Sequence, residues 1–257
     1  MFSIAVIIFE AIAVLFIGIF ARSNDTSTSS YSSYGTLITD SLTLLLAFTF
    51  MYSPFRKLSI FSFVSLLIVI SIAVQTNLLF GTFWDSCFNG FYSSFQVTAT
   101  LVIRCIFASF AVLLTVLDFV GLFDYWQVYL LIAPIMTVGF ALNSSIVIYG
   151  LNTFDGGGGY LIFLYSGVVS LMIWLVCIRG KIDNNRYRIR ESYINHTLSF
   201  IGVIIAFINW PKFNMAGAVV SSINSTAGTS SLQNSALPNT LLGLSAALLL
   251  AILFASK

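Results

Sequence analysis

Residues able to do acid–base or nucleophilic chemistry are scarce in this chain, and their spacing argues against an active site. The single histidine, His196, stands between a basic stretch and an apolar one, the setting of a polar interfacial residue rather than of a general base or metal ligand. Cys87, Cys105 and Cys177 are odd in number and scattered, so they make neither a disulfide framework nor a metal site. No nucleophile elbow, zinc-binding helix or phosphate loop is present; Asp155 followed by Gly156 to Gly159 reads as a flexible outside turn. The chain is expected not to be an enzyme, and to need no cofactor or metal.

Two charges inside apolar sequence stand out instead. Arg104 lies within Leu101-Val102-Ile103-Arg104-Cys105-Ile106, and an arginine at the centre of a membrane helix costs about 2.5 to 3.5 kcal/mol on insertion scales. Three explanations stay open: snorkelling to the outer interface, pairing with an intramembrane acid such as Asp40 or with a partner chain, and binding a solute. Glu10, midway along the first apolar stretch, is expected to face a helix or a partner rather than lipid.

The elements that must position these residues are apolar spans. The chain is 58% hydrophobic and 8% charged, with a mean hydropathy of +0.99, against roughly 25% charge in soluble proteins. That excludes a soluble fold, and the alternation of a membrane barrel is absent, so the spans are helices. Eight are expected, near Phe2 to Ala21, Ile38 to Tyr52, Leu58 to Phe80, Val97 to Val116, Tyr125 to Leu151, Tyr160 to Ile178, Tyr193 to Val219 and Asn239 to Ala255. The second is short for a bilayer and is expected to begin within the turn-rich Ser27 to Thr36 stretch. The first has no basic residue ahead of it and a poor cleavage site after it, so it reads as a retained span and not as a signal or transit peptide.

Charge orients the spans. With the N-terminus inside, Arg56, Lys57, Arg179, Lys181, Arg186, Arg188, Arg190 and Lys257 fall on the cytoplasmic side, while Arg22 and Lys212 fall outside, a clear positive-inside bias. The Arg179 to Arg190 cluster reads as a topology determinant rather than a nucleic-acid surface, and both termini are expected in the cytoplasm. Of the four Asn-x-Ser/Thr sequons, Asn24 and Asn224 fall in outside loops and are the glycosylation candidates, whereas Asn143 and Asn195 lie in or beside spans. Trp84, Tyr92, Tyr125, Trp126, Tyr160 and Trp210 are placed near span ends as interfacial anchors.

One motif is more specific. The run Asn209-Trp210-Pro211-Lys212-Phe213-Asn214, at the outer end of the seventh span, resembles the ammonium transporter and Rhesus (Rh) glycoprotein family. Phe9 to Arg22, Asp40 with Phe48-Thr49-Phe50-Met51, Gly81-Thr82-Phe83, and Phe140-Ala141-Leu142-Asn143 followed by Asp155-Gly156-Gly157-Gly158 continue that resemblance in order through the chain. It implies an all-α polytopic membrane protein with a partial inverted-repeat fold. Residues 1–257 would form a single membrane domain, with the first helix at 1–21, a first five-helix repeat at 38–178 and a partial second repeat at 193–255. About four helices of the second repeat would be missing. Proline is expected to break or end the seventh helix at Trp210-Pro211.

The resemblance also implies where a pore would lie, and the residues there differ from the family's. Phe163 stands at the position of the sixth-helix histidine, and the second histidine of that pair has no counterpart. Early in the fourth helix, where the family has an acid, the nearest ionisable residue is Arg104; of two gate phenylalanines, Phe83 matches one and Ser145 stands at the other. An apolar Phe163 accepts no proton, and a bare arginine repels a cation. The expected function is therefore a degenerate, non-conducting accessory or scaffold subunit of a larger membrane assembly. The alternative is an ammonia or neutral-gas channel of Rh type. Its partners would be the lipid bilayer and either two further copies in a homotrimer, as the resemblance implies, or a hetero-assembly; the membrane, plasma or organellar, is left open.

Overall fold

A computed structural model of the chain describes residues 22–23, 28–51, 60–89, 96–119, 123, 127–153, 155–178, 193–221 and 229–255, together with Ile8, Ala11, Ile12 and Leu15. Apart from two short paired strands, the described residues are overwhelmingly helical. We label the long helices α1 (Thr28–Met51), α2 (Ile60–Asn89), α3 (Ala99–Phe119), α6 (Tyr193–Ser221) and α7 (Thr229–Ala255). Between them, α4 is a π turn Val128–Ile132, an α segment Ala133–Ser145 and a π turn Ile146–Gly150. Likewise α5 is a π turn Gly159–Leu164, an α segment Tyr165–Ile173 and a π turn Trp174–Ile178. Strands β1 (Arg22–Ser23) and β2 (Gln96–Val97) pair in parallel, Arg22 opposite Gln96.

Six of the helices are long and apolar enough to cross a bilayer, and Gly35–Met51 is a shorter apolar helix. The chain is thus an integral, multi-pass helical membrane protein. Of the first expected span, only Ile8, Ala11, Ile12 and Leu15 are described, helical and exposed. Glu10, Asn24 and Asn224, the loop arginines 56 and 179–190, and Lys57 lie outside the described residues or their described side chains.

Backbone polar groups satisfied within each helix leave only packing and specific polar contacts to hold helices together in lipid. The centre of the bundle is α3, whose span is largely buried. It runs antiparallel to α2, as Ser109 Oγ to Ile70 O (3.4 Å) and Asn77 Nδ2 to Cys105 Sγ (3.4 Å) fix both ends of the contact. Helix α6 crosses α1 antiparallel and very closely: a Cβ on Gly202 would stand 2.6 Å from Met51 N and 2.7 Å from Ala47 O. Ser199 Oγ donates to Met51 O at 3.0 Å, supplying a partner for the last carbonyl of α1.

The helix does not break at Pro211. That residue is buried inside α6, which continues to Ser221. Proline removes one backbone hydrogen bond, but tertiary contacts hold the helix on both sides, Gly202 against α1 before it and Gly217 against Gly156 after it, where a Cβ would come within 2.8 Å of Gly156 O. Membrane helices tolerate proline where neighbours supply such support. Helix α2 also runs on to Asn89, so Trp84, Asp85 and Cys87 are helical rather than in a loop.

Candidate functional site

Asn77, Gly81 and Asp85 recur every four residues of α2 and so share one face, which packs on α3 beside Leu101 and Cys105. Directly opposite, Arg104 is 3% exposed and donates from Nη1 to Asp85 Oδ2 at 2.5 Å. Its Nη2 donates to Ser144 Oγ at 2.7 Å and to Ser145 Oγ at 3.3 Å, and Ser145 Oγ donates in turn to Asp85 Oδ1 at 2.7 Å. Charge-assisted bonds of this kind are among the stronger ones, and here they join α2, α3 and α4 at one point. The node is electroneutral. Arg104 neither snorkels to the surface nor pairs with Asp40; Asp40 instead pairs with Lys212 of α6. Because Asp85 compensates the guanidinium, the repulsion expected of a bare arginine toward a cation does not arise.

The next turns of α3 carry no charge at all. Phe107 and Phe110 face Phe213, with ring centroids 4.9 and 5.1 Å apart, and Phe110 meets Phe48 at 4.7 Å in edge-to-face contact. Trp210 lies 6.0 Å from Phe213 and 5.9 Å from Phe48. Phe163 lies at the edge of the group, 41% exposed, 6.3 Å from Phe110 and 6.2 Å from Trp210. Four helices, α1, α3, α5 and α6, thus converge on one aromatic cluster, in which offset and edge-to-face pairs are favourable. None of its side chains accepts or donates a proton at physiological pH.

Above it, Asp155 is buried and organises the start of α5. Its Oδ1 accepts from Gly159 N at 2.8 Å, and its Oδ2 from Tyr160 N at 3.0 Å and Leu161 N at 2.8 Å. A carboxylate there satisfies the unpaired first N–H groups and opposes the helix dipole. Gly158 sits at φ +74°, the left-handed region glycine reaches without strain. The glycine run is therefore a capped, packed turn rather than a flexible one. Beside it, an open cleft of about 510 Å³ is lined by residues of the turn, α6 and α7.

The structure brings some expected site residues together and separates others. Arg104 and Ser145 share the polar node, Phe163 joins the aromatic cluster, and Phe83 belongs to neither: it is 53% exposed with its ring against Trp84. The motif residues divide as well. Trp210 and Phe213 point into the cluster, so Trp210 is a packing residue rather than an interfacial anchor, while Asn214 Nδ2 donates to Thr240 Oγ1 of α7 at 2.9 Å. Asp85 was missed by sequence reasoning because the helix holding it was ended too early; its spacing from Asn77 and Gly81 was the available signal. Of the remaining candidates, His196 is exposed at the start of α6, Cys105 is buried, and Cys87 and Cys177 are exposed. Among the described residues, no three His, Cys, Asp or Glu side chains gather in a way that could hold a metal ion.

Comparison with known proteins points one way. The chain is 29% identical over 138 residues to "Ammonium transporter Rh type B" of Bos taurus, a match covering 52% of this chain and 30% of that protein. It is 28% identical over 138 residues to the protein of the same name from Homo sapiens, with the same coverage. The Danio rerio protein of that name is 25% identical over 227 residues, 82% of this chain and 48% of that protein. The matches span half or less of the length of these relatives. No family model matches the chain. The chain is accordingly an Rh-like, ammonium transporter-like membrane protein in sequence.

Proposed function

We propose that this Rh-like protein does not conduct ammonium and acts as a non-enzymatic accessory or scaffold subunit of a membrane assembly. The observation that carries the reading is the environment of Phe163. By resemblance it stands where the related transporters would place a proton-accepting histidine, and here it packs on Phe110 and Trp210 in a cluster without an ionisable side chain. Moving an ammonium ion past such a cluster requires either carrying its charge through an apolar site or giving up its proton, and no group there takes one.

A second observation agrees. Each Asp, Lys or Arg whose side chain is described is engaged within the chain: Asp85 with Arg104, Asp40 with Lys212, and Asp155 with the start of α5. These charges hold helices, and none is left over to recruit a cation. The proposal keeps the two-repeat organisation, 38–178 and 193–255, with Phe83, Arg104, Ser145 and Phe163 as remnants of pore positions.

Stopped-flow pH measurements on liposomes containing only this protein test the reading. The expected trace matches protein-free liposomes when ammonium is applied. Saturable, ammonium-driven uptake would overturn the proposal, whereas a non-saturable, current-free flux would favour the neutral-gas alternative. Native mass after mild detergent extraction separates a homotrimer from a hetero-assembly.

A further inference from the structure

The seam between α2 and α3 holds polar atoms that the Arg104 node does not use. Arg104 is 3% exposed and Asn77 1%. Both terminal nitrogens of the guanidinium are engaged, but its buried Nε–H has no acceptor among the described residues. Two turns below Asp85 on the same face of α2, Asn77 donates from Nδ2 to Cys105 Sγ, and its buried Oδ1 has no donor among the described residues. Leaving either group bare inside a bilayer is costly, since the surrounding hydrocarbon replaces no hydrogen bond.

The backbone places the two groups around one glycine. Asn77, Gly81 and Asp85 follow one another at single turns of α2. Opposite them, Cys105 meets Asn77, while Arg104, its neighbour in sequence, extends to Asp85. The arginine side chain therefore runs past Gly81, where α2 has no side chain of its own. A Cβ on Gly81 would stand 3.5 Å from Leu101 Cδ1 and 3.6 Å from Asn77 Nδ2. Those are ordinary contact distances, so the space there is about the size of one methyl group.

We infer that a water molecule is held in the seam at Gly81, accepting a hydrogen bond from Arg104 Nε and donating one to Asn77 Oδ1. The chemistry of the two groups selects the occupant. One is a donor and the other an acceptor, so the ligand must both accept and donate. Asp85 already neutralises the guanidinium, and an ion would bury a further charge without a counter-charge. A gap the size of a methyl group admits nothing much larger than water, and two polar partners are within the number that a buried water engages. The bridge completes the hydrogen bonding of Arg104 and ties α2 to α3 between the Asp85 and Cys105 contacts. It is independent of whether the chain conducts any solute.

Solid-state NMR on the full chain in lipid bilayers, with isotope-labelled arginine, tests the site. Magnetisation is transferred from water to the Nε–H proton of Arg104, and a water cross-peak is expected at that proton, which a dry seam does not give. Gly81→Ala puts a methyl group into the water's space at ordinary contact distances. Its melting temperature should therefore stay close to the parent's while the cross-peak falls several-fold. Asn77→Leu removes the acceptor and should weaken the cross-peak as well, and it serves in place of Gly81→Ala if that variant does not fold. A parent spectrum without the cross-peak, or a cross-peak undiminished in a folded Gly81→Ala or Asn77→Leu protein, would overturn the inference.

Discussion

Two regions of α3 a turn apart treat the interior of the membrane in opposite ways. At Arg104 the helix brings a full charge into the bundle and engages both its terminal nitrogens with Asp85, Ser144 and Ser145, while Nε has no partner among the described residues; at Phe107 and Phe110 it brings only rings. The first arrangement depends on each partner, because a buried charge deprived of its counter-ion is costly. The second is collective, with many weak contacts shared among six side chains. In this chain the described charges fasten helices to one another, and the ring cluster beside them holds no ionisable side chain.

The contrast predicts how each region fails. Asp85→Ala leaves the Arg104 guanidinium buried without its carboxylate and should destabilise the protein by about 3 to 5 kcal/mol, read as a lowered melting temperature in detergent. The double variant Asp85→Ala with Arg104→Leu should recover much of that loss. If the two single losses simply add, the residues are not coupled and the node is not a fastening.

Phe110→Ala removes the ring that touches Phe48, Phe163 and Phe213, and a loss of about 3 kcal/mol is expected from the cavity left behind. Phe163→His should leave ammonium flux at the level of empty liposomes, since a single histidine among these rings has no second group to pass its proton to. A gain of flux from that one substitution would return the cluster to the status of a functional pore.

Gly202→Ala tests the crossing of α1 and α6 that brings Phe48 to Trp210. A methyl group 2.6 Å from Met51 N must push the backbones apart, at a cost of about 1 to 3 kcal/mol, and tryptophan fluorescence of Trp210 should shift with it. The smallest effect belongs to Lys212→Ala. Its side chain is 49% exposed, and an exposed pair contributes about 0 to 1 kcal/mol, so a melting temperature close to the parent's is expected. A large loss there would mean that the Asp40 pair is shielded as the Asp85 pair is.

Much of the architecture was legible without coordinates because hydrophobic length is a local property. Runs such as Leu58 to Phe80 and Val97 to Val116 are long enough to cross a bilayer whatever they touch, and the structure has helices over them. Their ends were less legible. Helix α2 carries Trp84 and Asp85 beyond the apolar run because Asp85 finds Arg104 and Ser145, partners 19 and 60 residues away. At Pro211 the local rule predicts a helix end, and contacts on both sides of it override that rule.

The sequence by itself determined that the chain is a multi-pass helical membrane protein, that Arg104 needs a reason to be where it is, and that Phe163 offers no proton acceptor. Those conclusions follow from the cost of burying polar groups in lipid, which each segment incurs on its own. Only the tertiary structure decided which carboxylate answers Arg104, that Trp210 turns inward to meet Phe163, and that Asp155 caps a helix instead of marking a loose loop. Those are choices among partners remote in sequence, made by helix crossings that small residues such as Gly202 and Gly217 permit, and no local pattern encodes which faces will meet.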